Sequence, residues 1–485
     1  MDSVIAWIER ANAAVNSVVW GVPMLVLLIA TGVYLTVGTG FFQVRRFGYV
    51  MKNTLGSVFR DKSARKTDAK GAISQFQALA TALAATVGTG NIVGVVTAIA
   101  AGGPGAVFWM WVSAFFGMMT KYAEIVLGVY FRHRDEKGEW VGGPMYYIEK
   151  GLRQKWLAVA FSVFCLFASF GIGSIAQVNG IAGAMQNSFH VPNFVTGAVV
   201  CLLTAVIVFG GMKRMVAVTE KFVPFMAILY IGGAVAVIAL NAEHLGEAFG
   251  SIFAGAFSLR AAGSGAAGYV IARAMRYGFA RGVFSNEAGL GSSVMVHSCS
   301  DVKEPVKQGL WGVFEVFFDT IVICSLTALT VLCTGAHNVK GLEGIDVTIY
   351  AFQSALGPFG GYLVSVGLVL FAFSTLLGWT VYGGRAAGYL GGKRFTAVYR
   401  VVFLATVFLG SVSSVQLVWD LSDTFNGLMA LPNLIGVLFL SPLVFRITKN
   451  YTRRVFGGEQ ISPLLSYSQP DAPQRTARAR QKTEK

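Results

Sequence analysis

The chain has 485 residues, of which 54% are hydrophobic and 13% are charged, and its formal net charge is +15. A soluble protein of this length needs a more polar surface, so the composition excludes that class. Apolar stretches of about 18 or more residues recur along the chain, and each could cross a bilayer as a helix. The sequence therefore predicts an all-α, polytopic membrane protein.

About eleven membrane-spanning helices are predicted from these apolar stretches. A single transmembrane domain at 1–446 is expected to contain one extra helix followed by two repeats, at 74–240 and 267–446. Residues 447–485 are predicted to form a basic cytoplasmic tail. In chain order the predicted spans lie near 19–38, 74–100, 105–131, 156–186, 194–210, 219–240, 267–297, 307–334, 361–388, 398–417 and 424–446.

Lysine and arginine are concentrated in alternate loops, such as 45–70 and 132–155. With eleven spans these loops all lie on one face, which is predicted to be cytoplasmic, with the N-terminus outside and the C-terminus inside. The opposite loops, 100–105 and 335–360, are poor in basic residues. This location of the charges also argues against nucleic acid as a partner. The segment 241–266 is predicted to be an external amphipathic piece.

The second predicted span contains the sequence ATVGTGNIVG at 85–94. Gly88 and Gly90 each lower helix stability by about 1 kcal/mol relative to alanine. A break here would bring free N–H groups of one half-helix beside free carbonyls of the other at mid-membrane. That arrangement suits a zwitterionic amino acid and a cation. The alternative is that the glycines only allow close helix packing.

A second interrupted helix is predicted at 267–297, which contains three arginines, Asn286, Glu287 and the glycines Gly278, Gly282, Gly289 and Gly291. Ionisable groups inside a bilayer are costly, so these residues must face a cavity or pair with one another. Arg281 is a candidate partner for Glu287, and Lys121 for Glu124. Interrupted helices in the same place of two five-helix halves predict an inverted-repeat transporter.

Three motifs carry a family resemblance: the stretch 85–132, VGGPMYYIEKGL at 141–152 and RGVFSNEAGLGSS at 281–293. They resemble the alanine/glycine:cation symporter family (sodium:alanine symporters) of the LeuT-type superfamily, over about residues 15–450. The resemblance implies a LeuT-type 5+5 inverted repeat with two discontinuous helices and one extra N-terminal helix. It also implies inward transport of alanine or glycine together with a sodium ion, across a bacterial cytoplasmic (inner) membrane.

The break and the resemblance together indicate which residues bind the amino acid. The break supplies backbone groups and a threonine hydroxyl for the carboxylate. The side-chain amide of Asn91 either binds the carboxylate or a cation, or caps the second half-helix. Gln177 either accepts a hydrogen bond from the ammonium or makes an interhelical hydrogen bond. Large side chains are expected to restrict the pocket, although a packing role is their default. The full set is Thr89, Gly90, Asn91, Gln177, Phe279, Val283 and Trp379.

Sodium prefers hard oxygen ligands, as other small hard cations do. By analogy with the related fold, carbonyls near Ala84 and Val87 and the hydroxyls of Ser374 and Thr375 are expected to bind it. The alternative is that both hydroxyls bond their own helix backbone.

Three rival functions are weighed against symport with sodium. No HExxH or GxSxG motif occurs, which argues against an enzyme. A channel requires a continuous polar lining or a filter rather than one break at mid-depth. A proton-coupled small amino-acid carrier requires a titratable residue in the pocket, and the GTGN break contains none. The sequence does not distinguish alanine from glycine as the preferred substrate.

Overall fold

The computed structural model describes residues 2–257, 266–412 and 416–466. These residues are almost entirely helical, and the one sheet among them pairs strand β1 (His133–Arg134) antiparallel with β2 (Trp140–Val141). Up to residue 240 the helices are α1 (Asp2–Val19), α2 (Val22–Gly38), α3 (Phe42–Arg45), α4 (Phe47–Asn53), α5 (Leu55–Arg60), α6 (Lys62–Arg65), α7 (Gln75–Thr86), α8 (Val95–Gly102), α9 (Ala106–Phe131), α10 (Pro144–Tyr147), α11 (Lys155–Phe170), α12 (Ala176–Phe189), α13 (Asn193–Phe209) and α14 (Gly211–Leu240).

The remaining helices lie on either side of residues 258–265 and 413–415. Wider π-helical turns, Gly90–Gly94, Ile148–Leu152, Gly171–Ile175 and Phe317–Cys324, adjoin α8, α10, α12 and α18. The helices after residue 240 are α15 (Leu245–Ala256), α16 (Ala266–Asn286), α17 (Val294–His297), α18 (Pro305–Val316), α19 (Ser325–Cys333), α20 (Ile345–Leu356), α21 (Pro358–Val412) and α22 (Gln416–Gly457).

Seven helical stretches of the described chain are long and apolar enough to cross a membrane, and the bent pair α7–α8 would make an eighth span. Three of the seven, Ala6–Gly38, Lys155–Phe189 and Pro305–Cys333, each combine two of the helices named above. The chain is therefore a multi-pass membrane protein, as its composition predicts. Three other predicted spans do not satisfy this criterion separately. Helix α13 has only 17 residues, α16 is not apolar enough, and α21 counts once although two spans are predicted within it.

The 55-residue helix α21 is interrupted by two consecutive glycines between the predicted spans 361–388 and 398–417. Gly391 and Gly392 have non-helical backbone angles, and Gly392 has φ +68°. A residue with a side chain rarely adopts that angle, whereas glycine does so at little cost. The chain therefore bends here, and the two predicted spans are the two arms of α21.

Three observed helices differ from the predicted organisation. Helix α1 precedes the predicted first span and packs on α22, where Asn16 donates to Asp423 at 3.1 Å. The candidate membrane span in this region is Ala6–Gly38, which includes most of α1 and starts before the predicted span at 19–38. Helix α20 lies inside the predicted loop 335–360, and α22 extends to Gly457, past the predicted start of the tail at 447. Residues 467–485 of that tail lie outside the described ranges.

The predicted external piece at 241–266 contains the short helix α15. Its Phe253 packs against Phe108 of α9, with ring centroids 5.8 Å apart. The last part of this predicted segment, from 258 to 265, lies outside the described residues.

The two predicted helix breaks lie in the interior of the helical bundle. Residues 78–88, which include the end of α7, are all buried. Helix α7 packs against α14 and α21, whereas the turn and helix that follow the first break pack against α16. Helix α9 packs along both α16 and α18. These contacts bring five separate stretches of chain around the first break.

Candidate functional site

The first interruption lies where the glycine pattern predicts it. Helix α7 starts with a reciprocal capping box between Ser74 and Gln77 and ends at Thr86, after which Val87 is extended with φ −80° and ψ 94°. The two halves are bent by 56° relative to each other. Gly88 is also sterically required, because a Cβ added there would lie 2.4 Å from Thr375 Oγ1.

The side chain of Asn91 closes the break with bonds to both sides. Its Oδ1 accepts from the Gly88 N–H at 2.9 Å, and its Nδ2 donates to Asp319 Oδ1 at 2.7 Å. Its backbone carbonyl accepts from the Thr327 hydroxyl at 2.9 Å. The buried amide therefore has protein partners on both side-chain atoms. Asn91 therefore holds the backbone of the break through a residue that precedes it, and within the ranges that the structure describes the start of the second half-helix has no side-chain cap.

Asp319 is a buried carboxylate beside the break that sequence analysis did not select. Besides Asn91, Ser285 donates to it at 2.8 Å and Thr320 donates to it at 2.9 Å. The GTGN motif itself contains no titratable residue, but packing brings this carboxylate beside the break from a distant part of the chain. A usable signal existed, since Asp319 is the one charged residue in the apolar stretch 316–334.

The same hydrogen bonds continue to the second interruption. Thr320 accepts from Asn286 Nδ2 at 3.0 Å, and Asn286 Oδ1 accepts from the Ala288 N–H at 3.0 Å. A chain of buried polar groups, Asn91, Asp319, Thr320 and Asn286, therefore links the two interrupted segments.

The second interruption covers residues 287–293, between α16 and α17. Gly289 and Gly291 have φ +94° and +77°, so both take backbone angles that favour glycine. Gly278 and Gly282 stay helical and allow close packing on α9, where a Cβ at Gly278 would lie 2.4 Å from Ala106 O. Of the four glycines predicted to weaken this span, two lie in the unwound segment and two permit helix packing.

Gln177 has an open acceptor on the face of α12 that meets the first break. Its Nε2 donates to Ile172 O at 2.9 Å, whereas its buried Oε1 meets no donor in the described part of the chain. The Thr89 methyl lies against the same face, because a Cβ added at Gly180 would be 3.5 Å from it. Residues 177 and 180 are neighbours on a helix surface. An unpaired acceptor therefore lies on the face that contacts Thr89.

Trp379 packs against the π-helical turn Gly171–Ile175, in which the Ile172 carbonyl accepts from Gln177 Nε2. A Cβ at Gly173 would lie 2.4 Å from Trp379 Cβ, so only glycine allows this approach. Trp379 is 1% exposed, and its Nε1 has no acceptor among the described residues. Trp379, whose Nε1 lacks an acceptor within the described chain, and Gln177, whose Oε1 lacks a donor there, therefore both contact this turn.

Phe279 and Val283 are buried on α16 before its unwound part. The Phe279 ring packs edge-on against Trp109, with centroids 5.5 Å apart. The residues of α16 nearest Gly90 are Phe284 and Ser285. A Cβ added at Gly90 would be 3.3 Å from the Phe284 ring. Sequence analysis missed these two because the rotation of α16 about its own axis is set by contacts with α9.

Of the four residues expected to bind sodium, two are brought together. Thr375 Oγ1 lies 3.4 Å from the Val87 carbonyl oxygen, and Ala84 is fully buried one turn earlier. The Ser374 hydroxyl instead bonds Phe371 O of its own helix at 2.9 Å. Uncharged oxygens of this kind fit a small hard cation. Within the described ranges no group of three or more His, Cys, Asp or Glu is suited to hold a metal ion.

The ion pairs predicted within the apolar segments are wrong. Lys121 pairs with Glu315 at 3.3 Å rather than with Glu124. The Arg281 guanidinium lies 5.6 Å from the Phe284 ring centroid, and Glu287 accepts from the Ser292 hydroxyl. The predicted partners are close in sequence. The observed partner of Lys121, Glu315, is distant in sequence and is brought close because α9 packs on α18.

A cavity of about 750 Å³ opens between the 132–141 loop, the 208–215 turn and α21. Its wall includes Arg134, Arg385 and Arg400, and it reaches Thr380, directly after Trp379. His133 also lines it, and burial lowers the pKa of that imidazole below its usual value. This burial favours the neutral form of His133. The positive charge of the cavity comes from arginine and lysine.

Comparison with known proteins gives one consistent match. A profile of the Sodium:alanine symporter family matches residues 5–463. The sodium/alanine symporter AgcS of Methanococcus maripaludis is 46% identical over 444 residues, which are 90% of this chain and 96% of the relative. The putative sodium/proton-dependent alanine carrier protein YrbD of Bacillus subtilis is 37% identical over 459 residues, 91% of this chain and 92% of the relative.

A solved structure supports the architecture. The crystal structure of the Eremococcus coleocola manganese transporter, in complex with an aromatic bis-isothiourea substituted compound, matches with a TM-score of 0.50 and 14% identity. The match covers 80% of each chain. At this identity the similarity concerns the fold alone.

Proposed function

Because the chain belongs to the sodium:alanine symporter family, as its motifs predict, we propose that it imports alanine, glycine or both by symport with sodium. The observation that carries this proposal is the break at Gly88, bent by 56° and bordered by the unpaired Gln177 Oε1. A broken helix offers backbone donors to an anion and backbone acceptors to a cation in one place.

The amino acid binds with its two charged ends on opposite sides of this break. Its carboxylate accepts from backbone N–H groups at Thr89 and Gly90, with the Thr89 hydroxyl beside them, where the dipole of α8 is favourable. Asn91 holds these groups in position through its bond to Gly88. The ammonium donates to Gln177 Oε1, which supplies the acceptor that this buried atom otherwise lacks.

Selection for a small side chain comes from the apolar residues Phe279, Val283 and Trp379, which are at most 9% exposed. Trp379 packs against Gly173, in the turn whose Ile172 carbonyl accepts from Gln177. We expect these side chains to leave space for only a hydrogen or a methyl group. Larger side chains are rejected by overlap with the wall.

Sodium, the second substrate, binds at the carbonyls of Ala84 and Val87 with the hydroxyls of Ser374 and Thr375. The 3.4 Å contact between Thr375 Oγ1 and Val87 O supports this site. Because both substrates bind around one break, each stabilises the geometry that the other requires. Their binding is therefore coupled, and the coupling is reciprocal.

The architecture that suits this function is a LeuT-type 5+5 inverted repeat of eleven spans, with repeats at 74–240 and 267–446. The two interrupted segments and the polar chain between them support alternating access around a site at mid-membrane. We infer a bacterial cytoplasmic membrane, with the N-terminus outside. The arginine-lined cavity then opens to the cytoplasm, in agreement with the positive-inside rule.

A second candidate is symport driven by protons. The carboxylate of Asp319, which lies 2.7 Å from Asn91 Nδ2, supports it. The name of the Bacillus subtilis relative, which mentions both ions, also supports it.

Uptake of radiolabelled alanine into proteoliposomes tests the proposal. An inward sodium gradient without a pH gradient should drive accumulation above equilibrium. A proton gradient without sodium should drive none. Accumulation with protons alone would favour the second candidate. If neither labelled alanine nor labelled glycine were taken up under either gradient, both candidates would be contradicted.

A further inference from the structure

A second group of buried ionisable side chains lies beside the unwound segment 287–293, apart from the amino-acid and sodium sites. Each of its members is at most 4% exposed. Its members are Lys121 and Glu124 of α9, Glu287 of the unwound segment, His297 of α17 and Glu315 of α18. Apart from the histidine, these side chains provide three carboxylates and one ammonium group.

Glu315 uses the single ammonium group. Its Oε1 lies 3.3 Å from Lys121 Nζ, and its Oε2 lies 2.9 Å from His297 Nε2. The other nitrogen of His297 lies 2.8 Å from Gln308 Nε2, and Lys121 also donates to Ser293 Oγ at 3.0 Å. Glu315 therefore has partners on both oxygens, and the charge of Lys121 is balanced.

Glu124 and Glu287 have no ion pair in the part of the chain that the structure describes. Glu124 Oε1 accepts from Asn433 Nδ2 at 2.5 Å and the Gly289 backbone N–H faces the carboxylate, but the buried Oε2 makes no hydrogen bond in the described part of the chain. Glu287 accepts only a hydroxyl, from Ser292, through Oε2. Two buried carboxylates are thus left without a compensating charge.

The orientation of Asn433 is fixed by its other bonds. Its Nδ2 also donates to Gly289 O at 2.8 Å, and its Oδ1 accepts from the Tyr147 hydroxyl. The amide therefore cannot rotate to offer a second donor to Glu124. It also holds Glu124 beside the same unwound segment that contains Glu287.

A proton satisfies these two carboxylates better than a metal ion does. A buried carboxylate without a compensating charge costs several kcal/mol. Lys121 lies one helical turn from Glu124 and repels a cation, and the described residues contain no acidic or histidine group suited to a metal. A proton needs no set of ligands and converts each carboxylate into a neutral acid.

We propose that Glu124 and Glu287 form a proton-binding site, separate from the alanine and sodium sites, that holds the unwound segment against α9 and α22 while it is protonated. Deprotonation leaves like charges next to this segment and releases it. Since the unwound segment directly follows α16, which carries Phe279 and Val283 of the proposed pocket wall, the protonation state of this site governs transport. This consequence for transport rests on the proposed function.

Other titratable groups face the site from the helices packed around it. Glu287 interacts electrostatically with Lys121, Glu315 and Asp319, and in turn with Cys165 and Tyr382. Glu124 interacts with Lys121, Glu315 and Tyr147. The variants for a test must therefore remove one carboxyl each and leave these groups in place.

Infrared difference spectroscopy of the purified protein tests proton binding without relying on transport. On alkaline titration the wild type should lose the stretching band of protonated carboxyl groups. Glu124→Gln and Glu287→Gln, which resemble the protonated acids in shape, should each lack part of this band. Glu343→Gln, at an exposed acid, is the matched control and should keep it. An unchanged band in both Glu124→Gln and Glu287→Gln would overturn the proposal.

Alanine uptake at a fixed sodium gradient and varied pH provides the second readout. Wild-type uptake should fall with rising pH, by up to about tenfold per unit once the site loses its proton. Glu124→Gln and Glu287→Gln should each weaken this pH dependence, and the double variant should keep the uptake of the acidic range at all pH values. A wild-type pH profile in the double variant would overturn the proposal. If the wild type took up no alanine at all, the proposed function would fail, and the infrared measurement would still decide whether the proton site exists.

Discussion

The Asn91 side chain donates to the Asp319 carboxylate at 2.7 Å, across 228 positions of sequence. The same amide accepts from the Gly88 N–H, so the carboxylate of one helix fixes the backbone at the break of another. Ser285, beside the second break, donates to the other oxygen of Asp319. One buried carboxylate therefore connects the first break to the end of α16, where the second interruption begins.

Replacing this carboxylate should affect both stability and transport. In Asp319→Ala the donors Asn91, Ser285 and Thr320 lose their acceptor, and each buried unsatisfied group costs about 1–3 kcal/mol. We expect alanine uptake to fall at least about tenfold and the melting temperature to fall. Asp319→Asn keeps one acceptor oxygen and should lose less stability. Uptake assays and thermal unfolding followed by size-exclusion chromatography measure both effects.

The matched control for this acid is Asp346→Asn, at an exposed position on α20. It should behave as the wild type in both assays. Wild-type uptake together with wild-type stability in Asp319→Ala would show that the carboxylate does not determine the shape of the break.

Removing the hydroxyl of Thr375 should weaken the use of sodium. Thr375→Val keeps the shape of the side chain but removes an oxygen 3.4 Å from the Val87 carbonyl oxygen. We expect the sodium concentration for half-maximal alanine uptake to rise about tenfold, roughly 1.4 kcal/mol, with little change at saturating sodium. Ser374→Ala should have a smaller effect, because its hydroxyl bonds its own helix at Phe371 O.

A hydroxyl on the same helix provides the control for sodium. Thr380 Oγ1 bonds Leu377 O at 2.6 Å and has no proposed role with the ion. Thr380→Val should therefore keep the wild-type sodium dependence. An unchanged sodium dependence in Thr375→Val would remove Thr375 from the sodium site.

Gln177 should determine the affinity for the amino-acid ammonium group. Gln177→Leu keeps a similar size but lacks Oε1, and a hydrogen bond to a charged group contributes about 1.5–3 kcal/mol. We expect the KM for alanine to rise at least about tenfold, measured by initial rates of uptake. Asn179→Leu, on the same helix with its amide directed to Gly410 O, should leave this KM unchanged. An unchanged KM in Gln177→Leu would exclude contact with the ammonium.

Truncating the pocket wall should broaden the range of substrates. Trp379→Ala and Phe279→Ala each remove a large buried side chain, which leaves space for a longer substrate. We expect leucine to compete with labelled alanine in these variants but not in the wild type. Trp156→Ala removes a tryptophan that is 68% exposed and should leave selectivity unchanged. Either pocket variant with both full alanine uptake and unchanged exclusion of leucine would refute its assignment to the wall.

The features that follow from local sequence were predictable. Gly88 and Gly90 weaken a helix wherever they occur, so the first break could be located before any contact was known. The unwound segment around Gly289 and Gly291 combines glycines with costly polar residues, and it was predicted in the same way. The family resemblance added the expectation that both breaks belong to one site.

The features that depend on packing between distant stretches were not predictable. Gly278 and Gly289 are the same residue type in one predicted span, but only the first lies against α9 and stays helical. The partner of Lys121 is Glu315, 194 positions away. Asp319 was missed for the same reason, because its neighbours in sequence are apolar and all but one of its hydrogen-bond partners belong to other segments.

The central claim is that one broken helix binds the amino acid and the sodium ion together. Calorimetric titration of the purified protein with alanine, in sodium chloride and then in choline chloride at equal ionic strength, tests it most directly. Sodium should tighten alanine binding at least about fivefold, as expected for coupled sites, and Thr375→Val should reduce this difference. Equal alanine affinity in both salts would contradict the claim that the two substrates meet at the break.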